Sequence, residues 1–254
     1  MKKRILILVL AIVCLFSFAS CKKETPYSLY TAANEAMTAA NGVDAKVTID
    51  LEITGGDEAM EQKIEMDMKA NGENLSMVTK VDMDGETMEN TILYVDGVMY
   101  MDMGELGGKM KMEVSADEFA EDYDTGEVAL PELTEELLKD VKIEKDGDNK
   151  FFTIALAGED SKKYFADSVL GSLFGDDDEI KVEKFDVTLT FDKSGKLIKM
   201  AMDLEIVPTE EATDADGMAA KATVVYEFKD ITTAPTIEAP ADADEYLDMS
   251  DMMG

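Results

Sequence analysis

Alternation of apolar and polar residues dominates the chain and predicts β-strands from residue 45 onward. Between Ala45 and Ile53 every second residue is apolar, and the residues between them are Lys, Thr, Asp or Glu. The same period of two recurs in residues 60–83 and 109–114, with turn residues such as Asn71-Gly72 between strands. Strands with one apolar and one polar face are typical of an antiparallel sheet that covers a core on one side only.

The hairpin around Asp96-Gly97 departs from this pattern because both of its faces are apolar. Asp-Gly favours a two-residue type I′ turn, which pairs Val95 with Val98. One face then carries Ile92, Tyr94, Met99 and Met101, and the other carries Leu93, Val95, Val98 and Tyr100. The simplest interpretation places helices on one face and a loop or the tail on the other. Alternatively, one face lines a ligand cavity or a partner site.

Helical periodicity interrupts the strands at a few places. Tyr27–Asn41 has an apolar stripe, Ser115 and Glu118 can form a capping box, and helices are also predicted at 131–138 and 161–174. Strands return in the last third, where a hairpin is predicted to bury Val187, Leu189 and Phe191 against Ile198, Met200, Met202, Leu204 and Ile206.

These elements predict an α+β fold, in which one strongly curved antiparallel sheet of about nine to eleven strands packs its apolar face on a few helices. Residues 28–233 are predicted to form this single domain. Residues 234–254 are rich in acids and contain two prolines, so they are predicted to form a flexible or extended tail.

The first twenty residues have the pattern of a secretory signal peptide. Three basic residues precede an apolar run, Ile5 to Phe18, and two small residues follow it. As a helix the run would be about 21 Å long, which is short of the roughly 30 Å needed to cross a bilayer core. Residues 1–20 are therefore predicted to be removed on export. A retained membrane anchor is the alternative.

Cys21 follows directly, in a sequence that resembles the lipobox of bacterial lipoproteins, although Phe18 stands where leucine is usual. The resemblance implies that the Cys21 sulfur receives a diacylglycerol and that Cys21 becomes the first residue of the mature chain. Residues 21–27 would then be a lipidated tether that reaches at most about 20 Å. The predicted location is the extracytoplasmic face of the cell membrane.

Composition narrows the range of functions. The chain has 56 acidic and 24 basic residues and a formal charge of −32, with no histidine and no tryptophan. Repulsion from phosphates excludes nucleic acid as a partner. Without histidine there is neither a Ser-His-Asp triad nor the commonest zinc ligand. We therefore predict no enzyme activity, no cofactor and no metal, and interpret the acidic run at 176–179 as a solvated turn.

Nineteen methionines among 254 residues are well above ordinary usage. Methionine is flexible and polarizable, so it suits surfaces that accept ligands of varied shape. The candidate lining of an apolar cavity consists of Met66, Met68, Met77, Met99, Met101, Tyr94, Met200 and Met202. Ordinary core packing by the same side chains is the competing interpretation, and the sequence leaves both open.

The mature chain as a whole resembles the LolA-like lipoproteins, including the LppX/LprG-type proteins and related lipoproteins of Gram-positive bacteria. The similarity rests on the lipobox, the first helix, the alternating strands and two hairpins, YVDGVMY at 94–100 and TFDKSGKL at 190–197. It implies a half-open β-barrel wrapped over helices, with an apolar cavity between them. Several relatives carry lipids or acyl chains, and the resemblance supplies no catalytic residue.

Two functions remain open from the sequence. The first is a non-enzymatic, membrane-anchored lipoprotein that binds an apolar ligand, either a lipid or an acyl chain, in the half-barrel cavity. The second is an envelope lipoprotein that interacts or assembles with another protein and has no small-molecule ligand. An enclosed apolar cavity would favour the first function. A packed interior with an exposed apolar patch would favour the second.

Overall fold

A computed structural model describes residues 24–249, with gaps at 41, 55–58, 73, 84–85, 105–106, 123–129, 159–160, 163, 165–179 and 210–218. In chain order the elements are α1 (Pro26–Ala40), β1 (Val43–Thr54), β2 (Met60–Ala70), β3 (Leu75–Met83), β4 (Glu86–Val95), β5 (Val98–Asp102), β6 (Lys109–Glu113), α2 (Ala116–Asp122), α3 (Glu135–Leu138), β7 (Glu144–Asp146), β8 (Asn149–Leu156), β9 (Ile180–Phe191), β10 (Leu197–Pro208), β11 (Ala219–Asp230), a 3₁₀ turn (Ala243–Glu245) and β12 (Leu247–Asp248).

The described strands form one unclosed sheet, in the order β12-β6-β5-β4-β3-β2-β1-β11-β10-β9-β8-β7. Two meanders, β1–β6 and β7–β11, meet where β1 pairs with β11. Neighbouring strands are antiparallel except β12, which runs parallel to β6. The large antiparallel sheet with few helices is thus confirmed, with twelve strands instead of nine to eleven in the described part of the chain.

The main core lies on the apolar face of β1 and β8–β11. Phe152 and Phe191 are fully buried there, with ring centroids 5.6 Å apart. From α1, Leu29, Tyr30 and Ala33 join the same cluster, and the Leu133 amide donates to the Tyr30 hydroxyl at 3.1 Å. Burial raises the pKa of Tyr30, and this hydrogen bond partly offsets the rise. Helix α1 therefore packs on the apolar face of the sheet, the face on which the sequence predicts the helices.

The Asp96-Gly97 hairpin has the predicted turn and register. Both residues have positive φ, 53° and 81°, as a type I′ turn requires, and Val95 pairs with Val98. On one face the capping box of α2 is formed: the Ser115 amide donates to the Glu118 carboxylate at 3.1 Å and the Glu118 amide to the Ser115 hydroxyl at 3.3 Å. The Ser115 hydroxyl also donates to the Glu118 carboxylate at 2.8 Å, and this hydrogen bond, together with the one from the Ser115 amide, lowers the pKa of Glu118.

The other face of this hairpin is covered by residues 234–249, here called the C-terminal strap. The sequence predicts a flexible tail for this segment, but Ile237 packs on Leu93 and Val95, and the ring of Tyr246 meets Tyr100 edge-on with centroids 5.4 Å apart. The strap also adds β12 to the edge of the sheet. Helix α2 therefore covers the Tyr94 and Met99 part of one face through Phe119, and the tail covers the other face. Residues 250–254 lie outside the described residues.

Several predictions fall outside the part of the chain that the structure describes. They include the signal peptide, the lipobox with Cys21, most of the helix at 161–174 and the acidic run at 176–179. Among the described residues, no helix is long and apolar enough to cross a membrane. In the same part of the chain, no group of three acidic, cysteine or histidine residues is placed to hold a metal ion.

Candidate apolar ligand site

All eight predicted cavity residues lie on the apolar face of the sheet, but they fall into three environments. Met200 and Met202 on β10 are 3% and 5% exposed, and they pack in the main core against residues of β9 and β11. Their surroundings are filled by protein side chains. For these two residues the structure therefore supports the competing interpretation, which is ordinary core packing.

Tyr94 and Met99 belong to a second, smaller core under α2. The ring of Tyr94 stacks on Phe119 with centroids 4.0 Å apart, and its hydroxyl donates to the Val114 carbonyl at 3.2 Å. Met99 is 6% exposed, and Leu75 completes the buried cluster. This cluster forms one side wall of the remaining apolar face.

The other predicted residues lie on an open part of the face. Strand register aligns one residue from each of β2, β3, β4, β5 and β6 in a row that crosses the sheet, and each of the five is only half-buried. This methionine row consists of Met68, Met77, Ile92, Met101 and Met110. At its β2 end the row meets Ala45, which is fully buried in the main core.

Sequence reasoning placed three members of this row among the site residues and missed Ile92 and Met110. The register of the hairpins could have supplied both, because a two-residue turn at Asp96-Gly97 fixes Ile92 opposite Met101. Met110 then follows from the next pair, Met101 with Met110. The missing step was to combine the face assigned to each residue with the pairing of neighbouring strands, which aligns residues into rows across the sheet.

A row with polar members runs beside the methionine row. Met66 on β2 pairs with Thr79 on β3, and Thr79 pairs with Asn90 on β4. All three are half-buried. The Asn90 Oδ1 atom is buried and has no hydrogen-bond partner. The next row, Ile64, Val81 and Met88, is apolar again, so the polar pair stands alone between apolar neighbours.

The opposite face of the same strands is charged and wet. Glu65 lies between Lys46 and Lys63, both 2.9 Å away, and their hydrogen bonds lower its pKa to about 2. Lys80 pairs with Glu89 at 2.8 Å. In the three rows described above, by contrast, there is no charged side chain. Val47 on β1 pairs with Met66 on one side and with Tyr226 on β11 on the other, so Tyr226 continues the same row toward the main core. Burial raises the pKa of the Tyr226 hydroxyl to about 12.

Two open cavities lie on the charged face. The larger, of about 830 Å³, is bordered by side chains such as Asp50, Lys63 and Lys221, and the smaller, of about 440 Å³, by Thr188 and other residues. Most of the residues that border them lie on the outward face of the strands, including the apolar Phe151 and Ile198 at the smaller cavity. Because its five residues are only half-buried, the methionine row is better described as an open apolar surface.

A family assignment follows from the chain as a whole. The sequence model of a family of unknown function, DUF6612, matches residues 25–246, which include every described strand except β12. The protein belongs to this family. No curated protein matches the chain. DUF6612 is a family of unknown function, so membership does not identify a ligand for the methionine row.

Three solved structures show distant similarity to this DUF6612 protein. They are the ywiB protein from Bacillus subtilis (8% identity, covering 75% of this chain and 94% of that one, TM-score 0.21), Rv2717c from M. tuberculosis (10%, 78% and 98%, 0.23) and a DUF1329 family protein from Desulfovibrio piger (8%, 82% and 94%, 0.25). These scores are too low to support an argument, so the resemblance to LolA-like lipoproteins stays a prediction.

Proposed function

We propose that this protein is an extracytoplasmic lipoprotein, anchored to the cell membrane through Cys21, that binds the acyl chain of a lipid along the methionine row. The observation that carries the binding role is the contrast between the two halves of one apolar face. Around β8–β11 the face is packed to near-complete burial, whereas from Met68 to Met110 it is only half-buried. Contiguous apolar surface of this kind marks binding sites in soluble domains.

The dimensions of the row suit one acyl chain. Five neighbouring strands, from β2 to β6, contribute to it, and strands lie about 4.8 Å apart, so the row is roughly 19 Å long. A bilayer core of about 30 Å contains two leaflets, so a single chain spans about 15 Å. Methionine side chains can adjust to a chain of variable conformation.

The proposal includes the half-open barrel implied by the LolA-like resemblance. Curvature of β2–β6 toward the apolar face would surround a bound chain on three sides, with the Tyr94–Phe119 stack as one wall. The proposed role is binding without catalysis. Such a role does not require histidine, which the chain lacks. Attachment through Cys21 would hold the site within reach of membrane lipids.

Substituting Met77 tests the binding role. Met77→Gln places an amide in the middle of the row, and burying an amide without a partner costs roughly 1–2 kcal/mol, so we expect about ten-fold weaker retention of lipid. Val78→Gln is the matched control, because its side chain is also half-buried but points to the charged face. Native mass spectrometry of the mature chain with Cys21→Ser, purified from a lipid-containing extract, measures the bound mass.

Two outcomes of this experiment contradict lipid binding. One is wild-type protein that emerges without a bound mass. The other is equal retention by the Met77→Gln and Val78→Gln variants, which would place the ligand elsewhere. Circular dichroism of both variants confirms that any difference does not arise from unfolding.

The membrane anchor has its own test. We expect mass spectrometry of the chain isolated from membranes to show an N-terminal peptide that begins at Cys21 and carries a diacylglycerol, and we expect Cys21→Ser to release the protein from the membrane fraction. Two acyl chains are sufficient for stable anchoring. A native protein that retains residues 1–20, or has an unmodified thiol at position 21, would contradict the anchor.

The second candidate function is interaction with another envelope protein. The open, non-enclosed form of the methionine row favours it, since exposed apolar patches also mark protein interfaces. The same mass spectra separate the two functions: a lipid-sized mass supports carriage, whereas a protein-sized adduct that Met77→Gln abolishes supports a protein partner.

A further inference from the structure

The polar pair Thr79 and Asn90 stands where the headgroup of a bound lipid would need hydrogen bonds. The two residues are directly opposite each other on β3 and β4, and such pairs have Cβ atoms about 5 Å apart. Met77 and Ile92, which also face each other, lie two positions away on the same strands and on the same face, a distance of about 7 Å. Ligand pockets are typically apolar with a few polar groups that orient the ligand.

The side-chain oxygen of Asn90 makes no hydrogen bond within the described part of the protein. Its Oδ1 atom is buried without a hydrogen-bond partner, whereas most buried polar atoms in folded proteins have one. Leaving a buried acceptor unpaired destabilises the fold, so an apolar residue would suit the position better if packing were its only role. The amide can turn about its broad terminal torsion, which allows Oδ1 or the amide nitrogen to meet a ligand.

The charge of the protein restricts the headgroup. The formal charge is −32, and the rows that surround Asn90 contain no lysine or arginine to pair with an anion. Fatty-acid carboxylates and phosphate headgroups would therefore be repelled and left unpaired. Thr79 and Asn90 each offer a donor and an acceptor, which matches neutral hydroxyl and ester groups.

We propose that Thr79 and Asn90 bind the neutral, hydrogen-bonding headgroup of a single-chain lipid ester, of which monoacylglycerol is the simplest example. This inference rests on the proposed function. The chain would leave the polar pair at Asn90, enter the methionine row between the paired residues Met77 and Ile92, and continue over Met101 and Met110. That path is roughly 17 Å long, one 7 Å step along a strand and two strand spacings.

A competition experiment with matched ligands tests the headgroup preference. The mature chain with Cys21→Ser is loaded with the neutral fluorescent probe N-phenyl-1-naphthylamine, and monopalmitoylglycerol, palmitate or hexadecane is added from cyclodextrin. We expect monopalmitoylglycerol to displace the probe at a five- to ten-fold lower concentration than either of the others, the effect of about one additional hydrogen bond. Equal potency of all three ligands would overturn the inference but leave acyl-chain binding intact. Displacement by none would refute the proposed function itself.

Substitutions of Thr79 and Asn90 test whether these two residues cause the headgroup preference. In Asn90→Leu we expect monopalmitoylglycerol and hexadecane to displace the probe at similar concentrations, and Thr79→Val should give a partial loss of preference. Thr91→Val is the matched control, since Thr91 adjoins Asn90 but belongs to the opposite face. Asn90→Leu should melt no lower than the wild type, because it removes an unpaired buried oxygen. An unchanged preference in both Asn90→Leu and Thr79→Val would overturn the assignment.

Discussion

Replacing Phe152 by alanine is expected to lower the free energy of unfolding by about 3–5 kcal/mol, the usual cost of removing a buried phenylalanine ring. Phe152 is fully buried at the centre of the main core and stacks on Phe191 at a centroid distance of 5.6 Å. It pairs across the strands with Leu189, which is also fully buried. Surrounding strands are fixed by their hydrogen bonds and cannot collapse into the space, so the cavity would remain.

Phe151 supplies the matched control for this prediction. It is the preceding residue on β8, has the same side chain, and points to the charged face, where it borders the smaller open cavity. Phe151→Ala should therefore cost less than about 1 kcal/mol, as is usual for substitutions outside the core. Urea denaturation followed by circular dichroism measures both variants. Equal losses would show that the two faces of the sheet are not distinguished as described.

Local rules were sufficient for the hairpins. The turn chemistry at Asp96-Gly97 fixed which residues of β4 and β5 face each other, and period-two alternation then assigned their faces. The same reasoning failed for Ile198. A register shift between Leu197 and Lys199 leaves Leu197 fully buried and Ile198 half-buried beside the smaller cavity on the charged face. A β-bulge has no reliable sequence signal here. Alternation counted back from Met200 therefore assigned Ile198 to the apolar face instead of Leu197.

Alternation also cannot say what covers a face. Met68 and Met202 each follow another methionine by two positions on a strand, yet Met202 is 5% exposed in the main core while Met68 is half-buried in the open row. The difference depends on which segments pack over each part of the face, which is a property of the tertiary structure. For the same reason composition misjudged the C-terminal strap: its acids and prolines are typical of disorder, but two apolar side chains, Ile237 and Tyr246, hold it in place.

Truncating the chain after Thr233 is expected to lower the free energy of unfolding by about 3–5 kcal/mol. The strap buries Ile237 and Tyr246 to 9% and 8% exposure, and burial of a large apolar side chain contributes about 1.5–3 kcal/mol. Its polar contacts add less, because the ion pair of Lys109 with Asp242 is partly exposed. Asn71 donates to the Pro235 carbonyl at 3.0 Å. Ala234 of the strap approaches Gly42 so closely that an added Cβ would lie 3.0 Å from the Ala234 Cα atom.

The same truncation should also make the protein self-associate. Without the strap, Leu93, Val95 and Tyr100 lose their cover, and β6 loses the hydrogen bond from the Met249 amide to the Lys111 carbonyl. An uncovered apolar face beside an open strand edge is a template for pairing between molecules. Size-exclusion chromatography with light scattering measures the association, and urea denaturation measures the stability.

Truncation after Met249 is the control, because it removes residues 250–254 and keeps every described contact of the strap. It should remain monomeric under the conditions in which the longer truncation associates, with wild-type stability. Tyr246→Ala should fall between the two, since it removes the edge-on contact with Tyr100 and the contact of the ring with the Lys109 cation, 5.6 Å from its centroid. If loss of residues 234–254 changed neither stability nor association, the segment would be a solvated tail, as its composition suggests, and the second face of the hairpin would need no cover.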